Sequence, residues 1–279
     1  MSFPIIINST NKVSNNTYNV QLATSTDLND YEVGISQAFI YYSWYNIYSS
    51  GPYQNNKFYF GWPYSTSSVS SYIFSLPEGR YQISDINTAF QQFMIDNGLY
   101  LLNNTTQEKT FYAEISVSAT SYSCTITTRP IPNILPSGYS FPSGLGLPFN
   151  ANQQPFFQFN AGYSNFNLLL GINNGSYPFG ITTNANVFTK SSDFIPNIDP
   201  VGSIQIRLSC IYNLFSSNTQ LLHVFTNEDS ALGQIIDASP IETNYIPCTG
   251  THRELQLTFY DQNGNILNLI DPNLIIKLV

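Results

Sequence analysis

The chain has 279 residues, a net charge of −8, 9 Lys and Arg residues together, 9% charged residues and 15% aromatic residues. This composition excludes a disordered or fibrous chain, and the lack of basic runs and of about 20 consecutive apolar residues argues against nucleic-acid binding and a membrane-spanning helix. We expect a globular protein with an uncharged polar surface, which favours permanent assembly because such a surface can be buried without leaving ions unpaired.

Short strands are predicted from the N-terminus onward, where polar and apolar residues alternate or short apolar runs are bounded by turns. These segments are residues 17–22, 31–35, 38–42, 57–60 and 72–76. Gly and Pro residues predict turns at 61–63 and 77–81.

One segment has the spacing of a helix. Ser84 is predicted as its N-cap and Asp85 lies in the first turn. Apolar residues then recur at helical spacing, namely Ile86, Ala89, Phe90, Phe93 and Met94. Asn97 and Gly98 end the run, so we predict a short helix over residues 84–96 that packs one face on a sheet.

Two adjacent strands are predicted at residues 111–118 and 122–127, joined by a turn at 119–121. Six Pro and three Gly residues then fall between 130 and 155, a composition incompatible with helices or central strands. The stretch keeps apolar side chains, among them Phe141, Leu145, Leu147 and Phe149. We therefore expect residues 130–160 to form an irregular excursion that packs down or lies at an interface.

The pattern of the C-terminal part, residues 201–279, predicts four strands. The strands are residues 203–210, 221–225, 254–259 and 272–279. Residues 261–265 predict a tight hairpin turn that returns the last strand beside residues 254–259. One buried face is then expected to carry Leu255, Leu257, Phe259, Leu274, Ile276 and Leu278, and the chain is expected to end inside a sheet.

The order of strands, one helix, strands, an irregular stretch and strands again predicts an all-β fold, since the connections are too short for crossover helices. We predict an antiparallel β-sandwich of the jelly-roll type, with one short helix near residues 84–96 and a Pro/Gly-rich insertion. The predicted organisation is a single domain over residues 1–279, with residues 130–160 as an excursion within it.

The sequence contains no motif that predicts catalysis, a cofactor or a metal. His223 and His252 lack metal-ligand spacing, and an ordinary structural role is the preferred interpretation of both. Cys124, Cys210 and Cys248 are too few for a disulfide framework; one disulfide remains possible, and Cys210 is interpreted as a small buried apolar residue. We therefore expect no enzyme, and no catalytic, cofactor-binding or metal-binding residues.

Two further sets of residues have alternative interpretations. The carboxylates of the loops could converge for glycosidic chemistry, which a sequence alone does not show; they are Asp193, Asp199, Glu228, Asp229, Asp237 and Glu242. Four aromatic residues could stack on sugars in a lectin-like sandwich, although a place in the core or an interface is preferred; they are Tyr41, Tyr42, Trp44 and Trp62.

Three blocks of the sequence together resemble the penton, or minor capsid, proteins of virophages and of polinton-like and related large DNA viruses. The first comprises residues 31–35 (Tyr-Glu-Val-Gly-Ile) and 43–47 (Ser-Trp-Tyr-Asn-Ile). The second comprises residues 77–87, beginning Pro-Glu-Gly-Arg-Tyr. The third comprises residues 169–172 (Leu-Leu-Gly-Ile), the strand at 204–210 and the turn at 261–264.

The resemblance implies a structural jelly-roll subunit of the virion. It implies homopentamers that close the five-fold vertices of an icosahedral capsid, beside a double-jelly-roll major capsid protein, with assembly in the host cell cytoplasm. Low charge agrees with extensive subunit contacts, and the lack of a basic arm agrees with a shell that does not itself bind the genome. The alternative is a carbohydrate-binding β-sandwich that acts as a host-attachment module.

Overall fold

The computed structural model describes residues 3–64, 69–118, 121–142, 147–148, 152–160, 162–179, 185–227, 230 and 233–279. The chain forms two compact units, one of Met1–Trp44 with Val201–Val279 and one of Tyr45–Pro200. The sequence predicts a single domain over residues 1–279, whereas the structure divides into two compact units. Residues 130–160 belong to the second unit.

The elements are numbered in chain order across both units. Before the second unit come β1 (Ile5–Asn8), β2 (Lys12–Ser14), β3 (Thr17–Asp27), β4 (Glu32–Val33) and β5 (Ile35–Tyr41). The second unit contains β6 (Lys57–Pro63), β7 (Val69–Ser75), α1 (Ile83–Asp96), β8 (Leu101–Asn103), β9 (Lys109–Thr110), β10 (Ala113–Ser118), β11 (Ser123–Thr128), β12 (Tyr139–Ser140), β13 (Phe156–Phe159), α2 (Phe166–Leu170), β14 (Gly175–Tyr177) and β15 (Phe188–Ser191). The chain then forms β16 (Ile204–Leu208), β17 (Leu221–Phe225), β18 (Ile235–Asp237), β19 (Ile246–Pro247), β20 (Thr251–Asp261) and β21 (Leu274–Leu278).

The first unit is a jelly roll made of two antiparallel sheets. One sheet has the order β1-β21-β5-β18, and the other has the order β17-β16-β20-β3-β2. Along the chain, β1, β3 and β5 alternate between the sheets, β16 and β17 pair as neighbours, and β18, β20 and β21 alternate again. This alternation produces the two interlocked Greek keys of a jelly roll, and the predicted fold class is confirmed.

The two sheets of the first unit enclose one apolar core. Alternate residues of β16 and β20 are buried, as the polar and apolar alternation predicts. The fully buried large side chains include Tyr18 and Phe259, whose rings meet edge to face at 5.8 Å. Burial of one face of each sheet is the main source of the unit's stability.

The predicted hairpin between residues 254–259 and 272–279 is wrong. The turn exists, since Asp261 accepts hydrogen bonds from the backbone N–H groups of Asn263 and Asn265 at 2.7 and 2.9 Å. Strand β20 nevertheless pairs with β16 and β3, whereas β21 pairs with β1 and β5 in the other sheet. Leu257 and Ile276 share one core, as predicted, but they reach it from opposite sides.

The second unit has its own core, built around α1. The buried residues of α1 are Ile83, Ile86, Phe90 and Met94, and the helix ends at Asp96, with Asn97 as its C-cap before Gly98 with φ 69°. The predicted N-cap Ser84 is wrong by two residues, because the cap is Gln82, whose backbone N–H donates to the Asp85 carboxylate at 2.8 Å. The predicted helix and its core-facing side are otherwise confirmed.

Aromatic rings fill this second core. The Phe58 ring lies 4.8 Å from Phe166, 4.9 Å from Phe74 and 5.6 Å from Phe90, so three elements meet on one residue. The predicted turn at residues 61–63 is wrong, since these residues continue β6. Gly61 permits this extension because a Cβ there would lie 2.2 Å from the Phe156 ring, which covers the backbone.

The Pro-rich stretch lies against this core, as predicted where it is described. Ile131 pairs with Gln153 in an isolated bridge, and Phe141 and Leu147 pack on the core. Residues 156–159 depart from the predicted irregular excursion, because they form β13 between β6 and β14. Leu145, Phe149 and two residues of the predicted 119–121 turn lie outside the described residues.

Candidate interaction surfaces

The outward face of the β1-β21-β5-β18 sheet carries several exposed apolar side chains, together with Lys277 and Asp237. Ile275 lies directly opposite Phe39 on the neighbouring strand, and Ile235 lies opposite Tyr41. Ile6 stands at the same face of β1, opposite Lys277. We call Ile6, Phe39, Tyr41, Ile235 and Ile275 the outer strip; its three Ile residues are 57%, 53% and 52% exposed in the order Ile6, Ile235, Ile275.

The outward face of the other sheet is polar and internally bonded. Asn19 and Gln21 both donate side-chain hydrogen bonds to the Glu254 carboxylate across neighbouring strands. The Arg207 guanidinium lies 3.9 Å from the centre of the Tyr260 ring. These groups satisfy one another on the surface, whereas the outer strip is apolar. The contrast marks the outer strip as the face suited to association, because exposed contiguous apolar patches mark interaction sites.

A second candidate surface is the loop end of the jelly roll, formed by residues 28–34, 209–220 and 238–250. The Cys248 N–H donates to the Tyr31 carbonyl at 2.8 Å, and the Tyr212 N–H donates to the Pro247 carbonyl at 3.0 Å, so the three loops are joined. Phe215 and Ile241 project from these loops as fully exposed apolar side chains. The three segments contain Asp30, Glu32 and Glu242 but no Lys, Arg or His, so a basic or apolar partner would suit them.

A cavity of about 830 Å³ opens beside these loops within the first unit. Apolar side chains dominate its wall, including Leu22, Leu255 and Leu278. Cys210 and Cys248 are also among the residues that line it, and their Sγ atoms lie 3.6 Å apart. Cys210 and Cys248 are therefore the pair that the one disulfide considered from the sequence would join, and all three cysteines are present as free thiols.

The aromatic residues considered for sugar stacking are mostly internal. Trp44 and Trp62 are fully buried, and Tyr42 is 1% exposed with its ring 4.4 Å from that of Trp44. Of the four, Tyr41 alone reaches the surface, where it belongs to the outer strip. The preferred interpretation as core residues is confirmed for Tyr42, Trp44 and Trp62, whose buried rings cannot stack on a sugar, whereas the interface role of Tyr41 stays a prediction.

The histidines and carboxylates have local structural partners. The His223 Nε2 atom lies 2.9 Å from the Ala238 carbonyl, and the His252 Nε2 atom lies 2.7 Å from the Thr249 carbonyl. Asp199 forms an ion pair with Arg80 at 2.8 Å, and Asp193 pairs with Lys190. Burial lowers the pKa of His223, whereas hydrogen bonds from Ser239 lower the pKa of Asp237.

Within the described ranges, no group of three His, Cys, Asp or Glu side chains is arranged to hold a metal ion. Neither α-helix of those ranges is long and apolar enough to cross a membrane. Glu228 and Asp229 lie outside the described residues.

Two of the resembling blocks meet in the second unit. Ile47 and Gly79 pair in an antiparallel bridge, and the Asn46 side chain is fully buried beside Tyr81. The third block contributes the end of α2, where Gly171 adopts φ 68° and closes the helix. The first and second blocks therefore contact each other directly in the fold. These contacts are structural and include no candidate catalytic group.

Sequence reasoning missed the outer strip and the cysteine pair. Residues 5–7 and 274–276 are uninterrupted apolar runs, which is the signal of a strand with two apolar faces rather than one. No corresponding signal exists for the cysteines, since they lie 38 residues apart and backbone pairing between their two segments brings them together.

No protein-family model matches this sequence, and no curated protein matches it. Among solved structures, the chain is similar to the crystal structure of the mavirus penton protein, with 13% sequence identity. That alignment covers 99% of this chain and 98% of the penton chain, with a TM-score of 0.43.

Proposed function

We propose that this chain is a structural capsid protein, and more specifically a penton subunit that forms homopentamers at the five-fold vertices of an icosahedral shell. The observation that carries the proposal is the outer strip, an exposed apolar face on a jelly-roll unit. Jelly rolls are common in viral capsid proteins, but a fold alone does not define a function. The proposal therefore rests on the chemistry of the exposed surface.

The outer strip has the chemistry of a permanent contact. Five apolar side chains cover adjacent strands of one sheet, with Ile275 opposite Phe39 near its centre. Permanent interfaces bury about 2,000 Å² or more and are poor in charge at their centres. Lys277 and Asp237 lie on the same outward face, so a contact there has to pair these two charges or leave them at its rim.

The loop end supplies a second surface of different chemistry. A closed ring of identical subunits needs two different patches, one of which meets the other on the next copy, with a rotation of about 72° per step for five copies. The outer strip is apolar and the loop end is apolar and acidic, so the first unit offers two patches that are not alike. This asymmetry favours a ring over a two-fold dimer.

The proposal extends to partners and location. In this role the chain contacts a double-jelly-roll major capsid protein, occupies the virion vertex after assembly in the host cytoplasm, and performs no catalysis. These statements rest on the sequence resemblance of the three blocks and on a composition with 9% charged residues, which suits extensive protein contacts.

The deciding experiment is a reconstruction of the virion that contains this chain. We expect density for the jelly-roll unit at the five-fold vertices, with the outer strip covered by a neighbouring protein. Density at any other position in the particle, or absence of the chain from the particle, would contradict the proposal. Native mass spectrometry of the chain, alone and co-expressed with the major capsid protein, tests the pentamer separately, because vertex contacts can depend on the surrounding shell.

A further inference from the structure

Cys210 and Cys248 lie on segments that the backbone already holds side by side. The Thr249 N–H donates to the Cys210 carbonyl at 2.7 Å, and Ile211 pairs with Cys248 in an antiparallel bridge. The two Sγ atoms are 3.6 Å apart, and the residues are 1% and 4% exposed. A disulfide needs a sulfur separation of about 2.05 Å, so the two sulfurs have to approach each other by about 1.5 Å.

The thiol pair is buried but not sealed. Both cysteines line the cavity of about 830 Å³ in the first unit. A cavity of this size admits a small neutral molecule such as a peroxide, even though the side chains contribute almost nothing to the outer surface. The cavity therefore reaches the place where the two cysteines contact each other.

The hydrogen bond between the two thiols shifts their pKa values in opposite directions. The hydrogen bond from the Cys210 thiol lowers the pKa of Cys248, because it stabilises the thiolate. The same hydrogen bond, together with burial, raises the pKa of Cys210. The thiolate is the nucleophilic form, so Cys248 is the residue that reacts first and Cys210 the one that resolves the product.

We propose that Cys210 and Cys248 form an intramolecular disulfide when the protein meets a peroxide. The Cys248 sulfur attacks one peroxide oxygen, the O–O bond breaks, and water leaves, which produces a sulfenic acid on Cys248. The Cys210 sulfur then attacks that sulfur, the S–O bond breaks, and a second water leaves with the proton of Cys210. Two thiols are oxidised by two electrons and one peroxide is reduced to two waters. This inference does not depend on the proposed capsid function.

Cys124 provides a matched control. It is also fully buried, it lies in the second unit, and burial raises its pKa to about 11. It therefore has the burial of the pair without the neighbouring thiol. Any oxidation that reflects unfolding or general exposure would modify Cys124 along with the others.

The experiment uses the full-length folded chain, treated with hydrogen peroxide, then denatured in acid and alkylated before mass measurement. We expect the wild type to lose two of its three alkylatable thiols without gaining oxygen, and a reducing agent to restore them. Trypsin leaves both cysteines in one fragment, residues 208–253, and further cleavage after Glu residues separates them into two fragments that stay linked until reduction.

Variants assign the two roles. Cys124→Ser should form the same linked fragments as the wild type, whereas Cys210→Ser should accumulate a sulfenic acid on Cys248 that dimedone traps. Cys248→Ser should form neither product.

The proposal is overturned if the folded wild type keeps three thiols, if the bond includes Cys124, or if it joins two chains. Circular dichroism of each reduced variant checks folding, and the wild-type fragment map alone decides the matter if a variant does not fold.

Discussion

The side chain of Asn46 makes two hydrogen bonds with the backbone of Tyr81. Its Nδ2 atom donates to the Tyr81 carbonyl and its Oδ1 atom accepts from the Tyr81 N–H, each at 2.9 Å. Nδ2 also donates to the Ile198 carbonyl at 2.8 Å, and Asn46 is fully buried. One amide therefore holds together segments that are 35 and 152 residues away in sequence.

The substitution Asn46→Ala should lower the free energy of unfolding by about 2–4 kcal/mol, because it removes three hydrogen bonds from part-buried backbone groups of Tyr81 and Ile198. Equilibrium unfolding in urea measures the change. Asn104→Ala is the control, since Asn104 is an exposed residue of the same unit. Equal stability of the two variants would show that water replaces the lost hydrogen bonds.

Leu257→Ala should cost about 2–5 kcal/mol of stability, because Leu257 is fully buried between the sheets of the jelly roll and its truncation leaves a cavity. Its neighbour Gln256 faces outward on the same strand, so Gln256→Ala should change stability by less than about 0.5 kcal/mol. Urea denaturation of both variants compares the two faces of β20. A loss below about 1 kcal/mol for Leu257→Ala would contradict the burial described.

Ile275→Lys should prevent association while leaving the fold intact, because it places a charge at the centre of the outer strip, where a contact would have to desolvate it. Gln256→Lys introduces the same charge on the polar outward face of the other sheet and should leave assembly unchanged. Co-expression with the major capsid protein, followed by analysis of particle composition, measures incorporation of each variant. Normal incorporation of Ile275→Lys would exclude the outer strip from the interface.

Acid should destabilise the first unit through His223. Burial lowers its pKa below the usual 6.5, and the hydrogen bond with Ala238 offsets this only in part. Below pH 6.5 the unfolded chain therefore binds a proton at His223 more readily than the folded chain does, so the free energy of unfolding falls as the pH decreases. Above that pH the residue is neutral in both states, and its titration adds no pH dependence.

The comparison of wild type with His223→Gln isolates this effect. The difference in urea midpoint between them should shift against the wild type as the pH is lowered from about 8 to about 5.5, because only the wild type carries the titrating group. A difference that stays constant would show that folding leaves the pKa of His223 unchanged, and a shift in favour of the wild type would show that folding raises it.

Alternation along the strands predicted which side chains of β16, β20 and β21 are buried, and helical spacing predicted the buried face of α1. These features depend on local geometry, since a period of two or of 3.6 residues determines which side of an element faces the core. The N-cap was misplaced because Ser84 and Gln82 both precede the apolar run, and the Asp85 carboxylate selects Gln82 through a backbone hydrogen bond.

Strand partners, by contrast, were decided by the tertiary structure. The turn after β20 is compatible with a hairpin or with a crossing to the other sheet, and either path buries Leu257 and Ile276 in the same core. The outer strip and the Cys210–Cys248 contact likewise arise from strand order, which joins residues far apart in sequence. Local sequence determines which face of a strand is apolar, but the choice of neighbour depends on long-range packing of both sheets, which no single segment encodes.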